Sequence, residues 1–449
     1  MAAAGCDPRG IATFLHYFDR LSDGADGLIP ESAIEPIAEI PSLDSLRRAH
    51  SGPPAAVALD KTVVIKLNGG LGTSMGLDGP KSLLRVRGAK SFLDIAIGRV
   101  LDLRQSTGAR LPLVFMNSQA TEQATLKELE RQPAIEVDLV THFLQSQIPR
   151  LDAHSLEPVT WPAKPQLEWC PPGHGDVYLS LATSGLLREM RQKGYRYAFI
   201  SNSDNLGAVC DSAVVSWMEA EEIPFVAEQC ARTPADRKGG HLAHLKGEPG
   251  LILRETAQTP GPPDARHGTF NINNIYVDLD AINELLEANN FLVPLSLIVN
   301  QKNVVAGDAS TPRIVQLETA MASLISHFPE ARAVLVPRDR FLPVKTTDDL
   351  LLVRSDKYDL DADFQLRLRR PPATLVTLDR EYYAMLDGFE ERFAEGPPSL
   401  LDCTTLTVEG DVTFGAAVTL RGDVAIRNRS PSRATVPGGS VIEGELLLD

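Results

Sequence analysis

The chain is 449 residues long, 43% hydrophobic and 23% charged, the composition of a globular protein with more than one core. Its net charge of −15 argues against nucleic acid or an anionic membrane as partner, because both select a basic face. No apolar run reaches the roughly 20 residues of a membrane-spanning helix, and MAAAGCDPRG has no signal-peptide pattern. Cys6, Cys170, Cys210, Cys230 and Cys403 are widely spaced without C-x-x-C, so a reduced cytoplasmic chain is the expectation. The histidines include no H-E-x-x-H, which leaves a zinc site unsupported.

Residues 1–55 alternate short helical patterns with Pro and Gly, as a packed N-terminal helical extension would. A βα rhythm starts at Thr62, where TVVIKL reads as a buried strand. In FLDIAIGRVLDL, Phe92, Ile95, Ala96, Val100 and Leu103 share one helical face, and Ser91 with Asp94 has capping-box spacing. PLVFMNS reads as a strand, TLKELE as a helix and IEVDLV as a strand. A Pro-rich stretch over 145–173 reads as a long inserted loop.

Next come a helix (DVYLSLATSGLLREMRQ), a strand (YAFISNSDN), a helix carrying Trp217, and the strand FVAEQ. HLAHLKGEPGLILRE has the alternation of a hairpin, and FNINNIYVD that of a strand. Such alternation predicts a mostly parallel sheet with helices on both faces and ligands at the carboxyl ends of its strands. After the Pro-containing link EGPPS the pattern turns to short β-branched segments. Val408-x-Gly410-Asp411-Val412 recurs as Leu420-x-Gly422-Asp423-Val424, which fits either stacked rungs of a β-solenoid or a small β-sandwich. The expected division is 1–55, a catalytic domain over 56–385, and a linker with a β domain over 386–449.

The segment KLNGGLGTSMGLDGPKS, residues 66–82, follows the first strand. Glycines there let backbone N–H groups approach an anion. It is not a P-loop, because Pro80 separates Gly79 from Lys81, and not a dinucleotide fingerprint, because Gly76 falls one place late. Asp204 follows a strand amid Ser201, Asn202, Ser203 and Asn205. It offers the hard oxygen Mg²⁺ prefers, though an Asp there also serves as a turn or helix-cap residue.

The glycine segment resembles the signature of the eukaryote-like UTP–glucose-1-phosphate uridylyltransferase family. The resemblance continues through PLVFMNS, LQSQIPR, PPGHGD, SNSDNLGA, KGGHL, FNINN, QLETA, RFLPVKTTDDLLLV and GDVTFG, nearly the whole chain. It implies an α/β fold: a Rossmann-like, GT-A-like nucleotidyltransferase with a mixed sheet and a C-terminal left-handed parallel β-helix. It also implies Mg²⁺-assisted conversion of UTP and glucose 1-phosphate to UDP-glucose and pyrophosphate. In some relatives the β-helix also joins subunits, so a homo-oligomer is an expectation.

By the same resemblance, Lys81 and Lys345 would contact phosphates and be catalytic, and Asp204 would bind the metal. The nucleotide would fall to Leu67, Asn68, Gly69, Gly70, Met116, Gln145, Gly173 and Asn202; Lys66 would at least shield the site. Met116 reads equally as core. The sugar phosphate would fall to His174, Lys238, Gly239, Gly240, Glu255 and Asn273. Two departures bear on sugar specificity: His241 stands where relatives commonly have Thr, and Thr256 where they often have Ile. A broad UDP-sugar pyrophosphorylase and a non-catalytic nucleotide-binding scaffold are the competing readings. NGGLGTSMG argues against an N-acetylglucosamine-type loop, and intact Lys81, Asp204 and Lys345 argue against the scaffold.

Overall fold

The computed structural model describes residues 1–24, 28–233, 239–259, 266–305 and 308–448. The chain forms two compact units. The first comprises Met1–Gly69, Leu103–Asn202 and Cys210–Arg338; the second comprises Gly70–Asp102, Ser203–Val209 and Asp339–Asp449. The division falls between Gly69 and Gly70 and again between Asn202 and Ser203, so both signature segments contribute to both units.

The first unit holds β1 (Ile34–Pro36), β2 (Thr62–Asn68), β3 (Leu113–Asn117), β4 (His142–Leu144), β5 (Tyr197–Asn202) and β6 (Phe225–Ala231). It continues with β7 (His241–Leu245), β8 (Ile252–Arg254), β9 (Thr269–Asp278), β10 (Leu297–Asn303), β11 (Arg313–Thr319) and β12 (Arg332–Val336). Among the described residues seven of these form a central sheet in the order β12-β6-β9-β5-β2-β3-β4. β5, β2, β3 and β4 run parallel, as do β6 and β12, while β9 lies antiparallel between β5 and β6. The sheet is therefore mixed, as expected. Because β9 is reversed, its amino end meets the same edge as the carboxyl ends of its neighbours.

Every residue of β2 is buried, as a β-branched strand covered on both faces requires. Val63, Ile65, Val114, Met116, Ala198 and Ile200 belong to one core with helical residues such as Val177 and Leu187. Helix starts follow local chemistry: Asp211 Oδ1 accepts the Ala213 N–H, and Asp278 Oδ1 accepts those of Asp280 and Ala281. The N-terminal stretch is packed, with helix Pro8–Ser22 burying Tyr17, whose hydroxyl accepts the Leu295 N–H at 2.8 Å.

Three expectations for the first unit need correction. IEVDLV is not a strand; Pro133–Ile135 is a 3-10 turn, Val137 and Val140 are 43% and 51% exposed, and the ladder resumes only at β4. Its apolar alternation has no sheet face to rest on. DVYLSLATSGLLREMRQ breaks into Val177–Thr183 and Leu186–Gln192 because Gly185 sits at φ +79°. The stretch over 145–173 is not wholly irregular: Ile148–Pro149 pairs with Trp169–Cys170, and Leu151–Asp152 adds to β11.

In the second unit, Ser91 and Asp94 form the expected reciprocal cap, Ser91 N–H to Asp94 Oδ2 at 2.8 Å and Asp94 N–H to Ser91 Oγ at 3.1 Å. The tail contributes β13 (Leu375–Leu378), β14 (Ser399–Glu409), β15 (Val412–Phe414), β16 (Thr419–Asn428), β17 (Ala434–Val436) and β18 (Val441–Leu448). β13-β14-β16-β18 form a wholly parallel sheet, and β15 pairs parallel with β17. Val408 faces Ile426 rather than Leu420. The two copies, Val408–Val412 and Leu420–Val424, therefore do not stack: Gly410 lies in the turn after β14, and Gly422 at a register shift inside β16.

All five cysteines are free, and no helix among the described residues is long and apolar enough to cross a membrane. Leu406 is fully buried in the core of this unit, in register with Val376 on β13 and Val424 on β16. Leu406→Ala should cost about 2–5 kcal/mol by leaving a cavity, seen as a lower urea midpoint; an unchanged midpoint would mean that the site is not packed as described.

Candidate active site

In the first unit the carboxyl ends of β2, β3 and β5 come level, with Leu67 opposite both Met116 and Asn202, and Asn68 opposite Asn117. The Asn68 amide donates to Asn117 Oδ1 at 2.8 Å and to Thr125 Oγ1 at 3.0 Å, so its side chain pins strand ends. Gly69 follows at the edge, its carbonyl accepting the Ser118 hydroxyl at 2.9 Å. A Cβ at Gly69 would overlap the Gln145 amide, which brings these two expected nucleotide contacts against each other. The Gln145 N–H in turn donates to the Asn117 carbonyl at 2.8 Å. Leu67 and Met116 point into the core, and Asn202 is half-buried. Lys66 is buried, its Nζ donating to Ser201 Oγ at 2.8 Å and lying 5.7 Å from the Phe199 ring centre.

His174 sits on a one-turn 3-10 segment after Gly173, which is held at φ +84°. A side chain at position 173 would also strike the Thr319 backbone at 2.6 Å, so only glycine lets this turn close against β11. His174 Nδ1 accepts the Met321 N–H at 2.9 Å. The ring proton is therefore on Nε2, which makes the imidazole a donor there. Two residues on, Asp176 is buried; its Oδ2 accepts the Ser146 N–H at 2.6 Å and the Ser180 hydroxyl at 2.5 Å. Burial pushes its carboxyl up to about 6 despite those donors.

A third cluster gathers sugar-side candidates. Gly240 lies so close to Glu255 that a Cβ there would meet Glu255 Oε2 at 2.7 Å. The Gly240 carbonyl accepts the Asn271 N–H at 2.8 Å, and the Asn271 amide donates to Asn273 Oδ1 at 2.9 Å. Asn273 holds φ +56°, a left-handed conformation that Asn tolerates better than most residues. Gly239 N–H donates to Thr256 Oγ1 at 3.0 Å. Lys238 lies outside the described residues. His241 is buried and paired across β7 and β8 with Arg254, on the face opposite Gly240 and Glu255. Burial, with His267 and Arg254 nearby, lowers its imidazole to about 3 and keeps it neutral.

In the second unit the glycine loop closes on itself: the Lys81 N–H donates to the Gly70 carbonyl at 3.2 Å, and Leu71 bridges Pro80. Lys81 Nζ reaches Asp204 Oδ2 at 2.8 Å, with the two side chains 14% and 20% exposed. Asp204 caps no helix; it sits in a turn whose carbonyl accepts the Val344 N–H at 3.2 Å. Lys345 is therefore the next residue along, exposed, with its backbone N–H donating to Asp349 Oδ2 at 2.8 Å at the start of helix Thr347–Arg354. The loop thus brings Lys81, Asp204 and the Lys345 segment together. That sets the Lys81 ammonium beside one carboxylate, with the Lys345 backbone next to it.

The family model described as UTP–glucose-1-phosphate uridylyltransferase matches residues 11–421. This chain belongs to that family. UTP–glucose-1-phosphate uridylyltransferase 2 of Dictyostelium discoideum is 38% identical over 398 residues, covering 86% of this chain and 77% of that protein. The Solanum tuberosum uridylyltransferase is 39% identical, covering 86% and 80%. Among solved structures, the UDP-glucose phosphorylase of Trypanosoma brucei superposes with a TM-score of 0.92 at 40% identity, covering 100% of this chain and 98% of that one. A Leishmania major UDP-glucose pyrophosphorylase variant in complex with UDP-glucose gives 0.91 at 39%, with the same coverage.

Sequence reasoning about this uridylyltransferase-family chain missed the residues that hold the candidates in place. Asn205 is one: its Oδ1 accepts the Leu342 and Gly207 N–H groups, and its Nδ2 donates to the Arg340 carbonyl. Asn271 is another, and its place two residues before Asn273 on a strand was the available signal. Asp176 is the third; a carboxylate directly after a Gly-His-Gly turn marks a pinned loop.

The buried Asp176 also makes a stability prediction. Its folded titration near 6 lies above the ordinary 3.8, so its contribution is full below the lower value and is lost as pH rises through the upper one. Asp176→Asn has no such ionisation and should gain about 3 kcal/mol relative to the parent between about pH 4 and 8. Urea midpoints of both proteins across that range provide the check, and a pH-independent difference would refute it.

Proposed function

We propose that this protein transfers a uridylyl group, converting UTP and glucose 1-phosphate to UDP-glucose and pyrophosphate. The observation that carries the reading is the Lys81–Asp204 ion pair beside the Lys345 segment, in a chain of the uridylyltransferase family. A phosphate oxygen of glucose 1-phosphate attacks the α-phosphorus of UTP, the bond to the β-phosphate oxygen breaks, and pyrophosphate leaves opposite. Little covalent work falls to the protein; positioning and charge neutralisation dominate.

In the first unit, the β2 edge at Asn68 and Gly69, with Gln145, would hold the nucleoside. His174 would present Nε2–H to a phosphate oxygen. Gly240, Glu255 and Asn273 would meet the hexose hydroxyls, with acceptors and an amide within one hydrogen-bonded cluster. In the second unit, Lys81 and Lys345 would oppose the charge that builds on the phosphates in the transition state.

Magnesium fits this donor set in a restricted way. Among the described residues no group of three or more His, Cys, Asp or Glu side chains is arranged to hold a metal, so a protein cage is not on offer. A single carboxylate with phosphate oxygens is nevertheless a usual Mg²⁺ environment, and Asp204 would be that carboxylate. When bound, the ion would neutralise charge on the phosphates. The finer architecture we propose is a Rossmann-like, GT-A-like catalytic sheet with the C-terminal parallel strands wound as a left-handed β-helix. We propose a cytoplasmic setting as well, and homo-oligomer assembly through that module.

Two experiments test the function. A pyrophosphate-release panel of UTP, TTP and GTP against several sugar 1-phosphates should show strongest turnover with UTP and glucose 1-phosphate; no release from any pair would favour a non-catalytic nucleotide-binding protein. Lys345→Ala should lower kcat by roughly 100- to 1,000-fold while UDP-glucose binding changes little, as expected for a group acting on transition-state charge. Near-normal turnover in that variant would remove Lys345 from the chemistry.

A further inference from the structure

The hairpin that carries Gly240 and Glu255 has two faces. Gly240 and Glu255 share one; His241 and Arg254, directly opposite each other across the ladder, share the other. On that second face Arg254 is buried to 1% exposure, and its Nη1 donates to Glu31 Oε2 at 2.5 Å. His267 is also buried, lies against His241 with ring centres 3.9 Å apart and planes tilted by 31°, and donates Nε2–H to Glu31 Oε1 at 2.9 Å. Arg266 reaches the same oxygen at 3.2 Å. Burial works against the Glu31 carboxylate, but these donors outweigh it and hold its pKa below the usual range.

Glu31 belongs to the N-terminal stretch, which continues along the hairpin. β1 pairs antiparallel with β7, and the Lys246 N–H donates to the Ala33 carbonyl at 3.0 Å. On the other side, the Ile29 N–H donates to the Gln258 carbonyl at 2.9 Å. Gln258 is tied to Glu255 by a reciprocal cap, in which its side-chain oxygen accepts the Glu255 N–H at 2.9 Å and its own N–H donates to the Glu255 carboxylate. Segment 28–36 therefore grips Glu255 from two directions, by charge through Arg254 and by backbone through Gln258.

We infer that Glu31 is a positioning residue for the sugar phosphate, fixing through Arg254 and His267 where Glu255 and Gly240 stand. The inference rests on the reading of Glu255 as a hexose contact. It also relocates the two sequence departures. His241 packs into the anchor behind the hairpin and does not face the sugar, while Thr256 replaces an apolar side chain with a hydroxyl that holds Gly239. A buried guanidinium that loses its carboxylate must shift or draw in water, and Glu255, the next residue after Arg254 at the end of β8, moves with it.

Steady-state kinetics of Glu31→Gln, Glu31→Asp and Glu255→Gln decide the matter. Glu31→Gln should raise the KM for glucose 1-phosphate about 10-fold, as expected for a displaced positioning group, with the KM for UTP changed less than about twofold and Glu31→Asp recovering most of the loss. An unchanged KM for glucose 1-phosphate overturns the inference, as does an equal loss toward both substrates, which marks a merely structural role. If Glu255→Gln itself leaves that KM unchanged, the hexose reading of Glu255 fails first, and the inference with it.

Discussion

Asn68, the last residue of β2, uses its side-chain amide on Asn117 Oδ1 and Thr125 Oγ1, and these bonds fix the register of β2 against β3. In a strand buried on both faces, a slip of one residue would turn every side chain to the opposite side. Lys66 would then leave Ser201, Leu67 would leave the core, and the Gly69 backbone would no longer abut Gln145. The expected nucleoside edge is thus a by-product of a ladder made rigid from below. The glycine matters because nothing projects from it; the asparagine before it matters because its side chain faces inward.

The second unit solves a related problem without a long ladder. Asp204 and Lys345 lie on separate segments, and Asn205 joins them: one buried amide meets Leu342, Gly207 and Arg340 backbone groups together. A buried amide with satisfied donors and acceptor costs little, whereas leaving those backbone groups unpaired would cost about 1–3 kcal/mol each. Side-chain-to-backbone bonding here does the work that strand pairing does in the first unit. Thr346 and Asp349 then cap the following helix, fixing the Lys345 backbone while its side chain stays exposed.

Much of this was legible in the sequence, for reasons that differ by element. Buried parallel strands such as TVVI and YAFI announce themselves as continuous apolar runs, and Ser91 with Asp94 marks a helix start by local chemistry. IEVDLV misled because alternation measures a pattern and not a neighbour; Val137 and Val140 have the pattern but no sheet face beneath them. The tail repeat misled similarly, since parallel rungs align by what Gly410 and Gly422 do to the backbone and not by motif spacing. Within the candidate site, the sequence singles out residues that sit in distinctive motifs, but not the residues that hold them in place. Glu31 lies more than two hundred positions from Arg254 and His267, so only the fold reveals the pairing.

Net charge of −15 is no obstacle to binding a polyanion when the relevant charges are local. Lys81 shows how. Its ammonium is held by the Asp204 carboxylate, so the pair fixes where its charge stands. A partly exposed pair of this kind is worth on the order of 1 kcal/mol, whereas micromolar binding of a triphosphate supplies about 8 kcal/mol. On the proposed function, exchange of the carboxylate for phosphate oxygens would therefore be easy, and it would free Asp204 as an oxygen donor for a cation accompanying the triphosphate. On that reading one ion pair would aim a lysine, keep a carboxylate from standing alone, and yield both to the same ligand.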